Sequence, residues 1–213
     1  MRIGMIGAGQ VAQAVARHAV AAGHQVILSN RRGPGSLTDL AHDLGPLASA
    51  ASPAQAAEAG IVLLAVGWTA IPAAIAGTGV TDWADRIVID ATNQFAAPPP
   101  PVRIADTGDL TGSEYVASLL PRARVVKAFN TLYAAYIAAD PRHQEGRQLL
   151  VLAGDDADAK HQVAELVDRF GFAPLDLGGL RDGGRLMQLG GPLSPLHALK
   201  QSEPASAPSR TRS

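Results

Sequence analysis

The first part of the chain, as far as Gly23, constrains the fold more than any other segment. An apolar run at residues 3–6 leads directly into the sequence GAGQVA at residues 7–12, and an alanine-rich segment with apolar residues at helical spacing follows. A strand that is covered on both faces reads as such a run, without polar alternation. Glycine is favoured just after the last turn of a helix, where Gly23 stands. This segment therefore predicts a strand, a tight turn and a helix in immediate succession.

The turn between this strand and this helix has the pattern G-x-G-x-x-A. Gly7 permits the tight turn, Gly9 lets a pyrophosphate approach the backbone, and Ala12 allows the helix to pack closely on the strand. The helix then offers free N–H groups and a partial positive charge to phosphates. A purely structural glycine-rich turn has the same letters, but the strand–turn–helix context favours a dinucleotide site.

The alternation of short apolar runs and helical segments continues along the chain. Strands are predicted at residues 24–29, 61–66, 86–90, 124–129, 148–153 and 172–177. Helices are predicted at residues 10–22, 37–44, 53–59, 68–75, 133–139, 156–170 and 181–189. Strands that alternate with helices need crossover connections, which predicts an α/β fold with a doubly wound parallel sheet. Four consecutive prolines at residues 98–101 predict an extended loop, because proline cannot continue a helix or a central strand.

The length of the chain leaves little room for a second domain. A separate substrate domain usually takes about 100 residues or more. We therefore expect a nucleotide-binding domain at residues 1–140 and a small C-terminal αβ extension at residues 141–200, which completes the site of the second substrate at the carboxyl edge of the sheet. Residues 201–213 contain two prolines and otherwise no apolar residue larger than alanine, and they are predicted to be disordered.

The end of the second predicted strand indicates which dinucleotide is bound. An NAD site has an acidic residue there to bond the ribose 2′-hydroxyl, but this chain has Ser29, Asn30, Arg31 and Arg32, and its first acidic residue is Asp39. Guanidinium forks with hydroxyl and amide donors suit a 2′-phosphate. A solvated basic loop is the alternative. The position of the loop at the discriminating strand end favours NADP(H) over NAD(H).

Composition excludes several classes of function. Hydrophobic residues make up 47% and charged residues 17% of the chain, and the formal net charge is −1, so binding to nucleic acid or to an anionic membrane is not expected. The sequence has no apolar run of membrane-spanning length and no secretory signal. With no cysteine, disulfides, thiolate metal sites and a cysteine nucleophile are excluded. A reducing, cytoplasmic location is expected.

Side chains that could carry acid–base or metal chemistry are few. The six histidines have no paired metal-ligand spacing, so no metal site is predicted. Lys127 lies inside a predicted strand, where an internal position and a catalytic lysine are alternatives. Asp90 ends a strand and is expected to cap the following turn. We predict no catalytic side chain, which suits hydride transfer between two ring cofactors because positioning carries most of that reaction.

Three further residues follow predicted strands at the edge where a ligand would bind. Trp68 stands directly after the third strand, beside the cofactor or in the core. Asn93 and Asn130 follow the fourth and fifth strands. Their amides are expected to bond the ribose or the nicotinamide carboxamide, with a structural role in the turns as the alternative.

Taken together, the motifs resemble the F420-dependent NADP reductase family. They are GMIGAGQVAQAVA, GHQVILSNRR, IVLLAV, VIDATN, VVKAFNTL and the late segment GGLRDGGRLMQLGGPLSPL, and the resemblance covers about residues 1–200. It implies a Rossmann fold that also forms the cofactor domain of pyrroline-5-carboxylate reductases and of some ferric reductases. It further implies hydride transfer between NADPH and a deazaflavin, coenzyme F420, stacked on the nicotinamide.

The resemblance also implies the roles of particular residues. Those expected to hold the pyrophosphate are Gly7, Gly9, Gln10 and Val11, and those expected to hold the 2′-phosphate are Ser29, Asn30, Arg31 and Arg32. Those expected to line the nucleotide are Ala65, Val66 and Gly67, and those expected to border the nicotinamide and the second ring are Ala128, Asn130, Thr131 and Leu132. A homodimer through an apolar helix with Leu186, Met187 and Leu189 is a further implication.

Three functions remain open at this point. The first is an NADPH-dependent oxidoreductase that acts on a deazaflavin or a flavin-like ring. The second is reduction of a small imine or carbonyl compound, for which the chain lacks a helical substrate domain. The third is a non-enzymatic NADP(H) sensor. The proline run and the late segment depart from the family pattern, so the resemblance defines the hydride donor better than the acceptor.

Overall fold

The computed structural model describes residues 1–201, and its elements follow the predicted alternation. The strands are β1 (Arg2–Ile6), β2 (Gln25–Ser29), β3 (Ala48–Ala50), β4 (Ile61–Leu64), β5 (Ile87–Asp90), β6 (Arg124–Ala128), β7 (Arg142–His143), β8 (Gly146–Gly154), β9 (Ala173–Asp176) and β10 (Leu199–Gln201). The helices are α1 (Gln10–Ala21), α2 (Thr38–Leu44), α3 (Pro53–Ala56), α4 (Ile71–Ala76), α5 (Gly112–Ser118), α6 (Ala134–Ala138), α7 (Ala157–Arg169) and α8 (Asp182–Met187).

Six strands form the parallel part of the sheet. β1 pairs with β2 on one side and with β4 on the other, β2 pairs with β3, and β4 leads through β5 to β6, all in parallel. The predicted doubly wound parallel sheet is therefore confirmed. Because the chain first adds strands on one side of β1 and later on the other, the strand order reverses beside β1. Doubly wound sheets bind ligands in the crevice at such a point, outside the carboxyl ends of the strands.

The residues after β6 extend this same sheet. β8 runs antiparallel to β6, β9 pairs with β8 in parallel, and β7 and β10 pair with β8 in antiparallel orientation. The sequence predicted β8 and β9 but neither β7 nor β10. These two strands are only two and three residues long and fully exposed, so they lack the apolar pattern from which a strand is predicted.

Apolar side chains fill both faces of the parallel strands. On β4, Leu63 joins the cluster beneath α1 and α7, whereas Val62 and Leu64 join the cluster beneath α4 and α5 on the opposite face. All residues of β4 and β5 are buried. This is the two-sided burial that the unalternating apolar runs predicted.

Packing on β1 depends on Gly4, whose role the sequence did not reveal. A Cβ atom at this position would lie 1.9 Å from the carbonyl oxygen of Ala56 at the end of α3, so only glycine lets this helix approach the strand. The start of α3 is as predicted: the Ser52 hydroxyl accepts the N–H of Gln55 at 3.2 Å, and Pro53 is the first helical residue.

The late helix is shorter than predicted. α8 ends at Met187, and Leu189 lies beyond it. Met187 is fully buried while 41% of Leu186 is exposed. The expectation that Leu186, Met187 and Leu189 lie in one apolar helix is therefore wrong, because the helix ends before Leu189, and Met187 packs in the core while Leu186 is exposed.

One helix was missed altogether. α5 begins with a capping box, in which the Thr111 hydroxyl accepts the N–H of Glu114 and the Glu114 carboxylate accepts the N–H of Thr111 at 2.7 Å. The N–H of Thr111 is the main reason why the pKa of the Glu114 carboxyl lies below its ordinary value. The T-x-x-E signature in the sequence could have located this helix.

Most of the predicted disordered tail lies outside the described residues, because these end at Gln201, the last residue of β10. Within residues 1–201, no helix has both the length and the apolar character that crossing a lipid bilayer requires.

Candidate functional site

A cleft in two parts lies at the carboxyl edge of the parallel strands. The basic lobe, about 820 Å³ in volume, is bordered by the loop after β2 and by α4. The hairpin lobe, about 580 Å³, is bordered by the start of α1 and by a hairpin at residues 94–105. Val66 and Thr69 line both lobes, so the lobes adjoin each other. The cleft therefore lies at the crevice that the strand order predicts.

The basic lobe brings together five of the predicted site residues. They are Gly7, Ser29, Asn30, Arg31 and Val66. Its opposite wall is a stripe of small residues along α4, which the sequence analysis missed. These residues are Ala70, Ala73, Ala74 and Gly77. Their spacing of three and four residues places them on one helix face, and small side chains on an exposed helix face were the signal that could have found this wall.

The hairpin lobe brings together seven predicted site residues. They are Gly9, Gln10, Val11, Ala65, Val66, Gly67 and Asn93. The sequence analysis missed the opposite wall, which consists of Phe95, Ala96, Ala97, Pro98 and Pro99. The hairpin is held by two backbone hydrogen bonds, from the N–H of Ala96 to the carbonyl of Arg103 and from the N–H of Ala105 to the carbonyl of Gln94, both 2.8 Å. The predicted proline loop is thus the tip of an ordered wall.

The glycine-rich turn provides a cradle for an anion. Gly7 has a φ of +103°, and a Cβ atom there would lie 2.2 Å from the carbonyl oxygen of Ala65. A Cβ atom on Gly9 would meet no protein atom within 4 Å, so this glycine borders open space. Among the side chains of residues 1–201, none caps the N-terminus of α1. The N–H groups of its first turn are therefore free to bind phosphate oxygens, and these residues fit the pyrophosphate of a dinucleotide.

The loop after β2 is organised around Asn30. Its Oδ1 accepts the N–H of Arg32 at 2.8 Å, and its Nδ2 donates to the hydroxyl of Ser36 at 3.0 Å. Arg31 and Arg32 are exposed, and within residues 1–201 neither guanidinium is ion-paired or hydrogen-bonded to the protein. The side chain of Asn30 therefore fixes the loop, while both guanidinium groups remain free for a ligand.

Ser29 lies differently from what the sequence suggested. It is fully buried, and its hydroxyl donates to the carbonyl of Met5 at 2.7 Å. The hydroxyl hydrogen is therefore used between β2 and β1. The Ser29 hydroxyl, which was expected to donate to the 2′-phosphate, therefore has no hydrogen left for it. The donors to this phosphate would have to come from the loop that follows Ser29.

Two predicted residues lie behind the cleft. Ala128 is fully buried within β6, opposite Leu152 of β8, because the strand continues to this residue and both its faces are covered. Asn130 is 6% exposed, and its Nδ2 donates both to Asn93 Oδ1 at 3.2 Å and to the carbonyl of Met187 at 2.5 Å. Both amide hydrogens are thus committed to the protein, which is the structural role that the sequence left as the alternative.

Asn93 lies between Asn130 and the hairpin lobe. Its Nδ2 donates to the carbonyl of Asn130 at 2.9 Å, and its side chain is half-buried. Asn130 therefore supports Asn93 from behind, and through the carbonyl of Met187 it also connects Asn93 to the end of α8. A bond from Asn93 to ribose or carboxamide stays a prediction.

Lys127 and Asp90 form a buried ion pair behind the hairpin lobe. Lys127 Nζ lies 3.2 Å from Asp90 Oδ2, and the side chains are 1% and 0% exposed. Lys127 lines neither lobe, so of the two alternatives the internal position is correct. Asp90 accepts the N–H of Thr92 at 2.9 Å, which confirms that it caps the turn after β5.

Trp68 and the residues around it close one side of the hairpin lobe. Trp68 lines the lobe, is half-buried and packs against Tyr115 of α5 with ring centroids 5.2 Å apart. It thus combines packing against the protein with a position beside the cleft. The predicted contact with a cofactor remains untested.

Within residues 1–201, the lining of the hairpin lobe contains no ionisable side chain. Across the part of the chain that the structure describes, its polar lining residues are Gln10, Trp68, Thr69, Thr92 and Asn93. Behind the wall, the charges of Lys127 and Asp90 are paired with each other. Among the described residues, the lining of this lobe therefore offers no ionisable side chain for a proton transfer.

Comparison with known proteins agrees with this geometry. The sequence profile of the family described as NADP oxidoreductase, coenzyme F420-dependent, matches residues 2–94. The crystal structure of a hypothetical protein from Sinorhizobium meliloti has a TM-score of 0.87 and 41% identity, over 94% of this chain and 96% of that chain. A candidate F420-dependent NADP reductase from Arthrobacter sp. FB24 has a TM-score of 0.75 and 25% identity, over 88% of this chain and 90% of that chain.

A curated relative contains this unit within a longer protein. The metalloreductase STEAP3 of Rattus norvegicus is 29% identical over 188 residues, which cover 84% of this chain and 34% of the relative. The chain thus spans about a third of the length of that relative. The family profile matches residues 2–94, and the S. meliloti and Arthrobacter proteins are alike over most of both chains, so the chain is similar to the coenzyme F420-dependent NADP oxidoreductase family in its first part and shares the fold of these two proteins.

Proposed function

We propose that this chain transfers hydride between NADP(H) and a planar ring acceptor of the deazaflavin or flavin type. The observation that carries the proposal is the hairpin lobe, which is largely apolar and lined by no ionisable side chain among the described residues. The family profile and the Arthrobacter relative, described as a candidate F420-dependent NADP reductase, support the deazaflavin, coenzyme F420.

The basic lobe would hold the adenosine end of the dinucleotide. Arg31 and Arg32 would bind the 2′-phosphate, because both guanidinium groups are exposed and the Asn30 side chain fixes their loop. Ser29 would contribute through its position in the wall, since its hydroxyl hydrogen is already donated. The small residues along α4 would leave room for the adenine ring.

The glycine-rich turn would hold the pyrophosphate between the lobes. Free N–H groups at the start of α1, at Gln10 and Val11, would bind the phosphate oxygens, and the open space beside Gly9 would let them approach. The segment Ala65, Val66 and Gly67 would line the nucleotide where it passes from one lobe into the other.

The hairpin lobe would hold the nicotinamide against the acceptor ring. The nicotinamide nucleotide supplies a hydride when it is bound. Asn93 would bond the carboxamide or the ribose, and Asn130 and Ala128 would support this wall from behind. The C-terminal extension, residues 141–200, would complete the site through the carbonyl of Met187. Positioning of two flat rings is the main contribution of these residues.

The lining of the lobe distinguishes between acceptor classes. Reduction of a neutral ketone needs a proton for the alkoxide as it forms, and such a proton usually comes from a positioned acid. A deazaflavin or flavin spreads the negative charge over its ring system and can exchange protons with water afterwards. A preformed iminium ion also needs no acid, because it already carries its proton. An iminium compound is therefore the second candidate acceptor, and a neutral ketone is not supported.

The acceptor can be identified by following the loss of NADPH fluorescence. The protein is mixed with coenzyme F420, FMN, FAD, a preformed iminium ion and a ketone, with NADH in place of NADPH as the matched control. We expect turnover with a ring acceptor and NADPH, and much slower turnover with NADH. Turnover of the iminium ion alone would move the assignment to the second candidate. NADPH binding without turnover of any acceptor would contradict both and favour a sensor of the NADP(H) ratio.

A further inference from the structure

The Lys127–Asp90 ion pair is enclosed on all sides by its own hydrogen-bond partners. The Asp90 carboxylate accepts four bonds: Oδ1 from the N–H and hydroxyl of Thr92 at 2.9 and 2.7 Å, and Oδ2 from the hydroxyl of Ser113 at 2.5 Å and from Lys127 Nζ at 3.2 Å. Lys127 Nζ also donates to the carbonyl of Thr92 at 3.1 Å. Every polar atom of Thr92 is therefore bonded to one member of the pair.

The turn held in this way is part of the wall of the hairpin lobe. Ala91, Thr92 and Asn93 line that lobe in sequence, directly after β5. The pair reaches this turn from β5 and β6, which form the rigid interior of the sheet. Displacement of Asp90 or Lys127 would thus move the wall of the hairpin lobe, whereas the basic lobe has no lining residue in this turn.

Stability alone does not account for a charged pair at this position. Replacing a buried ion pair with apolar residues is often neutral or stabilising, because desolvation of the two charges offsets their attraction. A buried hydrogen-bond network does, however, favour one arrangement of the backbone around it, and this one holds the N–H, the hydroxyl and the carbonyl of Thr92.

We propose that Lys127 and Asp90 are positioning residues that hold the turn Ala91–Thr92–Asn93 in register with the nicotinamide ring. This inference rests on the proposed placement of the nicotinamide in the hairpin lobe. Since the pair bonds to Thr92 in the wall of that lobe, and the basic lobe has no lining residue in this turn, loss of the pair should weaken binding of the nicotinamide half of NADPH and leave the adenosine half bound as before.

The test compares two ligands that share the adenosine 2′-phosphate end. NADPH occupies both lobes in the proposed function, whereas 2′,5′-ADP would occupy the basic lobe alone. Their dissociation constants are measured for the wild type and for the double variant Asp90→Asn, Lys127→Met. This variant removes both charges together and keeps a side-chain oxygen that accepts from Thr92. We expect the dissociation constant of NADPH to rise about tenfold, as for the loss of one to two hydrogen bonds, and that of 2′,5′-ADP to stay within about twofold.

Controls separate positioning from a purely structural role. Lys160→Met removes another ion-paired lysine, 2.9 Å from Asp176 and remote from the cleft, and should change neither constant. If the double variant does not fold, Thr92→Val and Ser113→Ala distinguish positioning from a purely structural role, because each variant deletes one hydrogen bond from a hydroxyl to Asp90. Thr92 lies in the turn, so Thr92→Val should change the ratio of the dissociation constants of NADPH and 2′,5′-ADP. Ser113 lies on α5, so Ser113→Ala should lower only the thermal stability.

Each outcome bears on a different claim. Equal changes of both constants, or no change of the ratio in any variant of Asp90, Lys127 or Thr92, would overturn the positioning role. A wild-type protein that binds 2′,5′-ADP as tightly as NADPH, or binds neither, would instead refute the proposed placement of the nicotinamide before any variant is compared.

Discussion

The basic lobe and the hairpin lobe adjoin along one cleft and share Val66 and Thr69, but their charged side chains lie in different places. In the basic lobe, Arg31 and its neighbour Arg32 are exposed on a loop. Behind the hairpin lobe, Lys127 and Asp90 are fully buried and bonded to each other. The first arrangement leaves charge free to bind a ligand, and the second leaves the wall around a reacting group without charge.

In the proposed function, this difference would separate recognition of the 2′-phosphate from hydride transfer. A phosphate needs free cationic donors, whose bonds are worth about 1.5–3 kcal/mol each. A hydride that moves between two rings needs them held in place, and an acidic side chain between them would serve no purpose in that step. The comparison can be tested by changing one lobe at a time.

The largest effect is expected at the turn that serves both lobes. Gly7→Ala should lower the free energy of unfolding by about 3 kcal/mol and abolish NADPH binding, because the added Cβ would meet the Ala65 carbonyl at a positive φ. Gly9→Ala is the matched variant. It should cost less than about 1 kcal/mol of stability, since nothing lies within 4 Å, yet raise the NADPH dissociation constant. Chemical denaturation measures the free energy of unfolding, and fluorescence titration measures the NADPH dissociation constant. Equal losses of stability in the two variants would contradict the role of Gly7 and Gly9 as a cradle for an anion.

The next effect is confined to the basic lobe. Arg31→Ala with Arg32→Ala should raise the dissociation constant of NADPH about a hundredfold through the loss of two charge-assisted contacts, and leave that of NADH nearly unchanged. Arg17→Ala, an exposed arginine on α1, is the control and should alter neither. If the double variant raised the dissociation constant of NADH as much as that of NADPH, Arg31 and Arg32 would not be binding the 2′-phosphate.

A smaller effect is expected in the hairpin lobe. Pro98→Gly with Pro99→Gly should raise the KM of the ring acceptor about fivefold, by loosening an ordered wall, with NADPH affinity unchanged. Pro100→Gly with Pro101→Gly makes the same kind of change in prolines that do not line the lobe. Steady-state kinetics on both variants should differ, and identical KM values would show that the hairpin does not contact the acceptor.

The smallest effect concerns pH and lies outside the cleft. Burial, assisted by the N-terminal ammonium group and Arg169, lowers the pKa of His24 at the amino end of β2. The unfolded chain therefore takes up this proton first, so stability is complete above about pH 6.5 and declines as the pH falls below that value. Denaturation at several pH values should reveal this decline, and His24→Asn should reduce it.

Hydride transfer itself should respond differently to pH. With no ionisable side chain in the lining of the hairpin lobe across residues 1–201, its single-turnover rate should be level between about pH 6.5 and 8. A bell-shaped profile with a ring acceptor that does not titrate in this range would reveal a catalytic acid or base and break the contrast between the lobes.

The parts of the site that the sequence could predict depend on local order along the chain. β1, the Gly7 turn and α1 are contiguous, so their geometry follows from residues 2–21 alone. The position of Arg31 and Arg32 follows from the end of β2. In each case the pattern of one strand and its following turn contains the necessary information.

The sequence did not predict which residues after the strands line the cleft and which are buried behind it. Asn93 and Asn130 both follow strands, yet only Asn93 lines the cleft, because the carbonyl of Met187 from α8 engages the amide of Asn130. That contact joins residues far apart in sequence. Ser29 is another example, since its hydroxyl is taken by Met5 of the neighbouring strand. The hairpin at residues 94–105 has no strand pattern in the sequence, only a proline run. Its role as a wall becomes visible only in the structure, where Phe95 pairs with Ile104.

A crystal structure of the protein with bound NADP⁺ tests the account most directly. We predict the 2′-phosphate within hydrogen-bonding distance of Arg31 or Arg32, the pyrophosphate on the N–H groups that begin α1, and the nicotinamide in the hairpin lobe facing Pro98 and Pro99. A nicotinamide ring in the basic lobe, or a 2′-phosphate that contacts neither arginine, would contradict the division of the cleft.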